Sequence, residues 1–375
     1  MIIIKETEDS DLFIKTQTII YKGDKLFVPP LIKEEKKLID DKKNPFYKNS
    51  SRKLFIAYEN DTPVGRIAAI INGNHNKKYN DKIGFFGFFE SVDNYRVSNK
   101  LFQAAENSLF KKGMDVIRGP VNPSMNDTCG FLCKGFYQEP VFMMPYNRRY
   151  YLELAEKYGF KKDKDLLAFY LSTANKPKKY LTKLADYVKK KHGITLRNFS
   201  KKQFNRDIEI IREIYNKAWN DNWGFVPVEK GEFEFGTQDF KTIIPEELII
   251  IAEKDSKPCG FSAIIPDFNQ VLKYANGKIT PFNALQMLYK MKKIDNYRLI
   301  TLGVLPECRH IGVDLLLYIS SFDIVEKRNG RGGELSWILE DNEGIIKPTV
   351  SKINVEYYKT YRIYSKKIGT KESQH

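Results

Sequence analysis

The residues best suited to chemistry surround a basic turn, Arg309-His310-Ile311-Gly312. An apolar stretch with the length of a buried strand precedes the turn at residues 298–304, and apolar residues recur at helical spacing over 312–328. A strand that enters a helix through a glycine turn leaves the first helical N–H groups without partners. Together with the positive end of the helix dipole, these groups attract an anion. Arg309 and His310 add donors, so the turn is a candidate phosphate site.

The turn resembles the signature of the GNAT superfamily of acyl-CoA-dependent N-acyltransferases, an Arg or Gln, two residues, a Gly, one residue, then a Gly or Ala. Arg309 and Gly312 match it, whereas Asp314 stands where the last small residue is expected. In that family the turn holds the coenzyme A pyrophosphate, and an Asn after the next strand often contacts the pantetheine arm. The resemblance implies acetyl-CoA as the acyl donor. The implied coenzyme-binding residues are Val304, Arg309, His310, Ile311, Gly312, Val313 and Asn342.

Two carboxylates follow the next apolar stretch of the chain, Glu340 and Asp341. Transfer of an acyl group to an amine requires a base for the amine proton, and a carboxylate can serve directly or through water. We therefore take both residues as catalytic candidates; the alternative is a pair of solvated loop carboxylates. GNAT enzymes often use a Tyr on the following helix as acid, but the helix predicted over 343–354 contains none.

A polar loop after an earlier strand is a candidate acceptor-binding segment. Residues 118–136 carry Asn122, Ser124, Asn126 and Asp127 between glycines. Such side chains can contact a substrate at the end of a strand. They can equally bond their own backbone in an ordinary loop.

Three further residues are substrate-binding candidates in the second half of the chain. Trp223 and Phe225 lie in the stretch 219–227, which joins two predicted helices, and this connection commonly lines the acceptor site in GNAT enzymes. The alternative for both aromatic residues is packing. Asp267 places a carboxylate at the end of a predicted hairpin strand.

The elements that position these residues occur twice along the chain. Residues 56–70 and 251–265 each read as an apolar strand, a charged turn and a second apolar strand, with Pro-x-Gly at the same spacing. Each hairpin is followed by a strand, a helix and another strand. The chain is therefore predicted to be α/β (α+β), with two tandem GNAT-like domains, each a mixed, mostly antiparallel sheet flanked by helices.

We place the predicted N-terminal domain at residues 1–174, a basic linker helix at 175–194, the C-terminal domain at 195–368 and a polar tail at 369–375. The helix of the first copy begins with Asp93 and Asn94, either of which would cap it, and has no glycine turn. We therefore expect the N-terminal domain to lack coenzyme binding and the C-terminal domain to carry it.

Composition limits the class of protein. The four cysteines have neither a disulfide framework nor a convincing metal spacing, and no apolar run is long enough to span a bilayer. The net charge is +15, which fits either solvated lysines or a field that attracts anions. We expect a reduced cytoplasmic N-acyltransferase acting on acyl-CoA and an amine, with no metal, membrane or nucleic-acid partner. The alternatives are an aminoacyl-tRNA-dependent acyltransferase of the same fold, a non-catalytic binding protein that has kept the fold, and a nucleic-acid-binding protein suggested only by the charge.

Overall fold

The computed structural model describes residues 1–346 and 355–369. Its contacts divide the chain into two compact units. Unit 1 comprises Met1–Leu166, Leu272–Met287 and the residues from Lys359 onward, and unit 2 comprises Leu167–Val271 and Leu288–Tyr358. The units therefore differ from the two successive domains predicted at 1–174 and 195–368. The predicted tail lies outside the described residues from 370 onward.

Unit 1 contains most of the first half of the chain. Its elements are, in chain order, β1 (Ile2–Thr7), α1 (Ser10–Ile20), α2 (Ile32–Ile39), β2 (Ser50–Glu59), β3 (Thr62–Asn72), α3 (Gly73–Tyr79), β4 (Ile83–Ser91), α4 (Tyr95–Phe110), β5 (Val116–Gly119), β6 (Val121–Asn122), β7 (Thr128–Cys129), β8 (Phe131–Lys134), α5 (Tyr150–Lys157) and the first part of β9 (Lys161–Ser172). Strands β1 to β4 pair antiparallel in sequence order, and β5 joins β4 in parallel.

Unit 2 contains most of the later elements, except that residues 272–287 and the residues from Lys359 onward belong to unit 1. The chain continues as α6 (Lys179–Lys191), β10 (Ile194–Asn198), α7 (Phe204–Ala218), α8 (Lys230–Thr237), α9 (Phe240–Ile243), β11 (Ile249–Lys254), β12 (Lys257–Pro266), α10 (Asn269–Leu272), α11 (Pro281–Met291), β13 (Asn296–Val304), α12 (Val313–Lys327), β14 (Gly332–Leu339) and β15 (Glu356–Lys367). Strands β10 to β13 pair antiparallel in order, and β14 joins β13 in parallel. This repeats the order of unit 1, so the predicted mixed α/β fold is confirmed.

Both predicted hairpins form, and both turn in the same way. In β2–β3 the central residues Asn60 and Asp61 have φ of 49° and 62°, and in β11–β12 Asp255 and Ser256 have φ of 52° and 60°. Positive φ at both central positions matches the twist of paired strands, and Asn and Asp adopt it at little cost. The charged turn residues therefore fix the register of the hairpins.

The last strand differs from the prediction in its location. The C-terminal domain was predicted to extend to residue 368, which includes the whole of β15. From Lys359 onward, however, it belongs to unit 1, where Tyr364–Lys367 pairs antiparallel with Val116–Gly119. Its Tyr364 is fully buried in the core of unit 1, and Arg362 forms a two-bond ion pair with Asp165. Burial of one face against unit 1 explains why this strand leaves its own repeat.

Helix α6 also differs from the prediction, since it is not a linker. Its buried side chains are Leu181, Ala185 and Val188, and the first two share a hydrophobic core of unit 2 with Val313 and Leu317 of α12. Each fully buried aliphatic side chain stabilises a fold by about 1.5–3 kcal/mol. The helix is therefore held against α12 as part of unit 2.

Candidate functional site

The predicted phosphate turn of unit 2 has an uncapped helix start. Val304 ends β13, and Gly312, with φ 90° and ψ 18°, is the N-cap residue of α12. Among the described residues, no side chain accepts a hydrogen bond from the first amides of this helix. His310 is exposed, Ile311 is half-buried and Val313 is fully buried. The first turn of α12 therefore keeps the donors and the partial positive charge that an anion needs.

The side chains around the turn have structural partners that the sequence did not indicate. Nη2 of Arg309 donates to the carbonyl oxygen of Ala218 at 2.7 Å, which caps the end of α7. A Cβ on Gly312 would lie 2.8 Å from Cγ2 of Val188 on α6. Packing of α6 thus requires a glycine there independently of any ligand. Asp314 is exposed in the first turn of α12, where its carboxylate compensates the helix dipole.

The pairing between β13 and β14 stops before this turn. Their parallel register pairs Asn296–Leu299 with Gly332–Leu335, and both strands continue beyond the paired residues. The buried Arg298 lies next to the last paired residue of β13. Its Nε donates to Oγ of Ser336 at 2.9 Å, and its Nη2 donates to the carbonyl oxygen of Ser336 at 3.3 Å. The strand ends nearer the turn are therefore not paired with each other, and Arg298 links the two strands where the pairing stops.

The predicted catalytic carboxylates lie at the edge of the sheet that carries the turn. Glu340 and Asp341 follow β14 directly, and β14 runs parallel to β13, so both carboxylates share an edge with Gly312. Glu340 is half-buried and Asp341 is exposed. The backbone oxygen of Asn342 accepts from the amide of Ile346 at 3.0 Å as residues 343–346 become helical. The rest of the predicted helix, 347–354, lies outside the described residues.

Asp267, in contrast, lies at the far end of β13 from the turn. Its carboxylate is buried and accepts from Nδ2 of Asn296 at 3.4 Å. Asn296 is the first residue of the nine-residue strand β13, which extends about 26 Å. Asp267 therefore lies away from the turn itself, and substrate binding by it stays a prediction.

The aromatic candidates of unit 2 are packed. The indole of Trp219 packs on the end of β13, so that a Cβ on Gly303 would lie 2.5 Å from it. Phe225 is buried, and its ring lies 5.4 Å from that of Tyr215. Trp223 is half-buried. Packing accounts for Phe225, and an acceptor role for Trp223 stays a prediction.

The polar loop of unit 1 bonds mainly to itself. Oγ of Ser124 donates to Oδ2 of Asp127 at 2.6 Å and accepts from the amide of Asn126 at 3.1 Å. Burial raises the pKa of Asp127 to about 6, against the opposing hydrogen bond from Ser124. Oδ1 of Asn122 accepts from the amide of Phe88 in β4 at 2.6 Å. The loop is therefore held by its own hydrogen bonds and by one to β4, and acceptor binding by it stays a prediction.

Unit 1 differs from unit 2 at both of these places. The side chain of Asn94 accepts from the amide of Arg96 at 2.9 Å, so the start of α4 is capped. A Cβ on Gly87 of β4 would lie 1.7 Å from the carbonyl oxygen of Val121, so β6 lies directly against β4. These contacts support the expectation that only the second copy binds a coenzyme.

A buried charged cluster in unit 1 was not predicted. Glu90 at the end of β4 accepts from Nε2 of Gln17 at 2.6 Å and from the hydroxyl of Tyr151 at 2.8 Å. The Arg66 guanidinium lies 3.6 Å from Glu90 and 4.0 Å from Glu35. Burial raises the pKa of both carboxyls, and Arg66 opposes the rise. The available signal was a carboxylate that ends a run of apolar residues at 83–90.

Two other kinds of site are absent from the described residues. No group of three or more His, Cys, Asp or Glu side chains in 1–346 and 355–369 could hold a metal ion. Among the helices described there, none combines the length and apolar composition that crossing a bilayer requires.

The fold and the uncapped glycine turn define a tandem GNAT-fold protein. A tandem GNAT protein from the clavulanic acid biosynthesis pathway superposes with a TM-score of 0.57, covering 99% of this chain and 100% of its own at 10% identity. A GCN5-related N-acetyltransferase from Sphaerobacter thermophilus gives a TM-score of 0.54, covering 98% and 96% at 13% identity. These similarities confirm the predicted fold.

Sequence relatives identify the family. The chain is 34% identical over 367 residues to protein YghO of Escherichia coli, covering 96% of this chain and 93% of that protein, and it belongs to the YghO family. It is also 27% identical over 373 residues to a bacterial ceramide synthase of Caulobacter vibrioides, covering 97% and 96%. No protein-family model matches the chain.

Proposed function

We propose that the protein is an acyl-CoA-dependent N-acyltransferase that acylates a long-chain lipid amine. The observation that carries this proposal is the similarity to the ceramide synthase of Caulobacter vibrioides, which extends over nearly the whole of both chains. A ceramide is the N-acyl derivative of a long-chain amino alcohol. The uncapped turn of unit 2 supplies the backbone amides that would bind the pyrophosphate of an acyl-CoA donor.

The donor site of this proposal lies in unit 2. The first amides of α12, from Gly312 onward, bind the pyrophosphate, because they lack a side-chain cap and carry the positive end of the helix dipole. The pantetheine arm lies between the unpaired ends of β13 and β14. Arg309 holds the end of α7 in place and orients the turn. Two features oppose tight binding, the carboxylate of Asp314 and the close packing of Val188.

The reaction needs a base at the same edge of the sheet, and Glu340 is our candidate. Its carboxylate, directly or through one water, takes a proton from the ammonium group, and the neutral amine attacks the thioester carbonyl. An N–C bond forms and the C–S bond breaks. The second amine proton then neutralises the departing thiolate, so the products are an amide and free coenzyme A. Backbone amides of the unpaired part of β13 stabilise the oxyanion.

The acyl group of the proposal is a fatty chain. Acetyl-CoA was expected from the resemblance of the turn. In this proposal the turn contacts only the pyrophosphate, so it does not select the acyl group. The name of the ceramide synthase relative favours a long acyl chain and a lipid amine. The acyl group is therefore the point on which the proposal and the initial expectation differ.

The test is a transfer assay with the full chain, a long-chain amino alcohol and either palmitoyl-CoA or acetyl-CoA. Thiol release is followed with a thiol reagent, and the N-acyl product by mass spectrometry. We expect product from palmitoyl-CoA, in a one-to-one ratio with released thiol. Product from acetyl-CoA alone would indicate that the transferred group is acetyl, as initially expected. Absence of product from both donors, with the protein folded, would contradict the proposal.

A non-catalytic acyl-CoA-binding protein is the second candidate. It is favoured by Asp314, which places a carboxylate at the phosphate turn, and by the existing hydrogen bond of Arg309. Such a protein would be stabilised by coenzyme A through mass action on the folded state and would yield no amide. A thermal shift measured beside the transfer assay therefore separates the two functions.

A further inference from the structure

The connection between β12 and β13 is an insertion relative to the other copy of the fold. In unit 1, β3 ends at Asn72 and β4 begins at Ile83, with the short helix α3 between them. The corresponding strands of the second copy end at Pro266 and begin at Asn296. The longer connection carries α10 and α11. The catalytic proposal uses neither helix.

Helix α11 exposes its apolar residues. The exposed fractions are 92% for Phe282, 74% for Leu285, 60% for Leu288 and 58% for Tyr289, whereas Met287 is buried. At about 100° per residue these four side chains fall within one arc of roughly 120°. The amphipathic pattern of α11 is therefore reversed, with an apolar face directed to solvent. Exposed apolar clusters of this kind indicate an interaction surface.

The charge of residues 268–294 indicates what the exposed apolar face of α11 binds. Residues 268–294 contain no Asp or Glu. Their basic residues are Lys273, Lys278, Lys290, Lys292 and Lys293. The ammonium group of Lys293 lies 4.4 Å from the centre of the Tyr289 ring, which places a cation at the border of the apolar arc. An apolar arc beside clustered lysines and a tyrosine is the composition of helices that lie in the interface of an anionic bilayer.

We infer that α11 docks the protein on an anionic membrane surface, with Phe282, Leu285, Leu288 and Tyr289 inserted at the level of the acyl chains and the lysines at the headgroups. The helix has 11 residues and is therefore too short to span the bilayer. A second copy of the chain is a poorer occupant, because a two-fold interface on this face brings like-charged lysines together. This inference replaces the initial expectation of no membrane partner.

Vesicle sedimentation tests the inference with the full chain and without acyl transfer, so the outcome is independent of the proposed reaction. Vesicles of phosphatidylcholine alone are compared with vesicles that contain about 30% phosphatidylglycerol. We expect binding to the anionic vesicles that weakens with salt. The double variant Phe282→Ser/Leu285→Ser should lower the partition coefficient roughly 100-fold or more, since each side chain contributes about tenfold or more.

Two further variants make the test specific. Phe110→Ser, which changes a phenylalanine that is 58% exposed on α4, should bind like the wild type. A triple variant should have a partition coefficient on anionic vesicles lower by roughly 10-fold or more, namely Lys290→Gln/Lys292→Gln/Lys293→Gln. The inference is overturned if the wild type fails to bind anionic vesicles, or if Phe110→Ser lowers binding as much as the α11 double variant. A concentration-dependent dimer that Phe282→Ser/Leu285→Ser abolishes, without vesicle binding, would assign the face to a second copy instead.

Discussion

Replacing Gly312 separates the two reasons for a glycine at the turn. In Gly312→Ala, the new Cβ lies 2.8 Å from Cγ2 of Val188, and φ stays near 90°. Positive φ costs an L-residue about 1–2 kcal/mol, and overpacking costs about 1–3 kcal/mol more. We expect the free energy of unfolding to fall by about 2–5 kcal/mol. We also expect coenzyme A affinity to fall roughly 10–100-fold, because the methyl group displaces the pyrophosphate from charge-assisted hydrogen bonds to the backbone.

The second variant, Gly312→Ala/Val188→Ala, removes the steric contact and leaves the methyl group at the turn. It should regain part of the stability, measured by urea denaturation, and none of the affinity, measured by calorimetric titration of coenzyme A. As a matched control in unit 1, Asn94→Ala removes the cap of α4 and should cost about 1 kcal/mol without changing the affinity. If the double variant binds coenzyme A like the wild type, Gly312 serves only the packing of α6, and the site assignment is wrong.

Three further predictions concern carboxylates. Glu340→Gln should lower kcat roughly 100-fold or more with little change in the KM of acyl-CoA. The activity of this variant should rise at high pH, because the amine then loses its proton unaided. A pH profile the same as that of the wild type would exclude Glu340 as the base. The pKa of Asp127 is raised by burial from 3.8 to about 6, so the folded state binds the proton more tightly than the unfolded chain. The free energy of unfolding of the wild type, relative to that of Asp127→Asn, should therefore be highest below about pH 4 and fall by up to roughly 3 kcal/mol by pH 7. Denaturation series at several pH values measure this difference, and a difference that does not change with pH would contradict the prediction. Arg66→Met leaves Glu90 buried without its cation and should cost about 3–5 kcal/mol, whereas Arg66→Met/Glu90→Gln should cost less; denaturation showing additive losses would refute the coupling.

The sequence predicted what depends on neighbouring residues. Strand and turn patterns located both hairpins, because alternation and the polar residues at positions such as Asn60 and Asp255 act over a few residues. The uncapped start of α12 was predicted for the same reason, since a cap is a local property. That Glu340 shares a sheet edge with the turn follows from the parallel register of β13 and β14, and its role as base stays a prediction.

Long-range packing set the features that the sequence did not predict. Glu90 is buried by Gln17, 73 residues away, and by Tyr151, 61 residues away. On α6, Tyr180 and Leu184 are exposed, while Ala185 is buried in the core of unit 2. Side-chain partners across the fold decided these orientations, and the sequence pattern of one helix cannot identify such partners.

Hydrogen exchange of the full chain with and without coenzyme A tests most directly whether the turn of unit 2 holds the acyl donor. We predict slower amide exchange in peptides that cover Gly312 to Leu316 and the ends of β13 and β14. Peptides that cover the start of α4, near Asn94, should exchange at the same rate in both samples. Protection at α4, or no protection in unit 2 at saturating coenzyme A, would contradict the account.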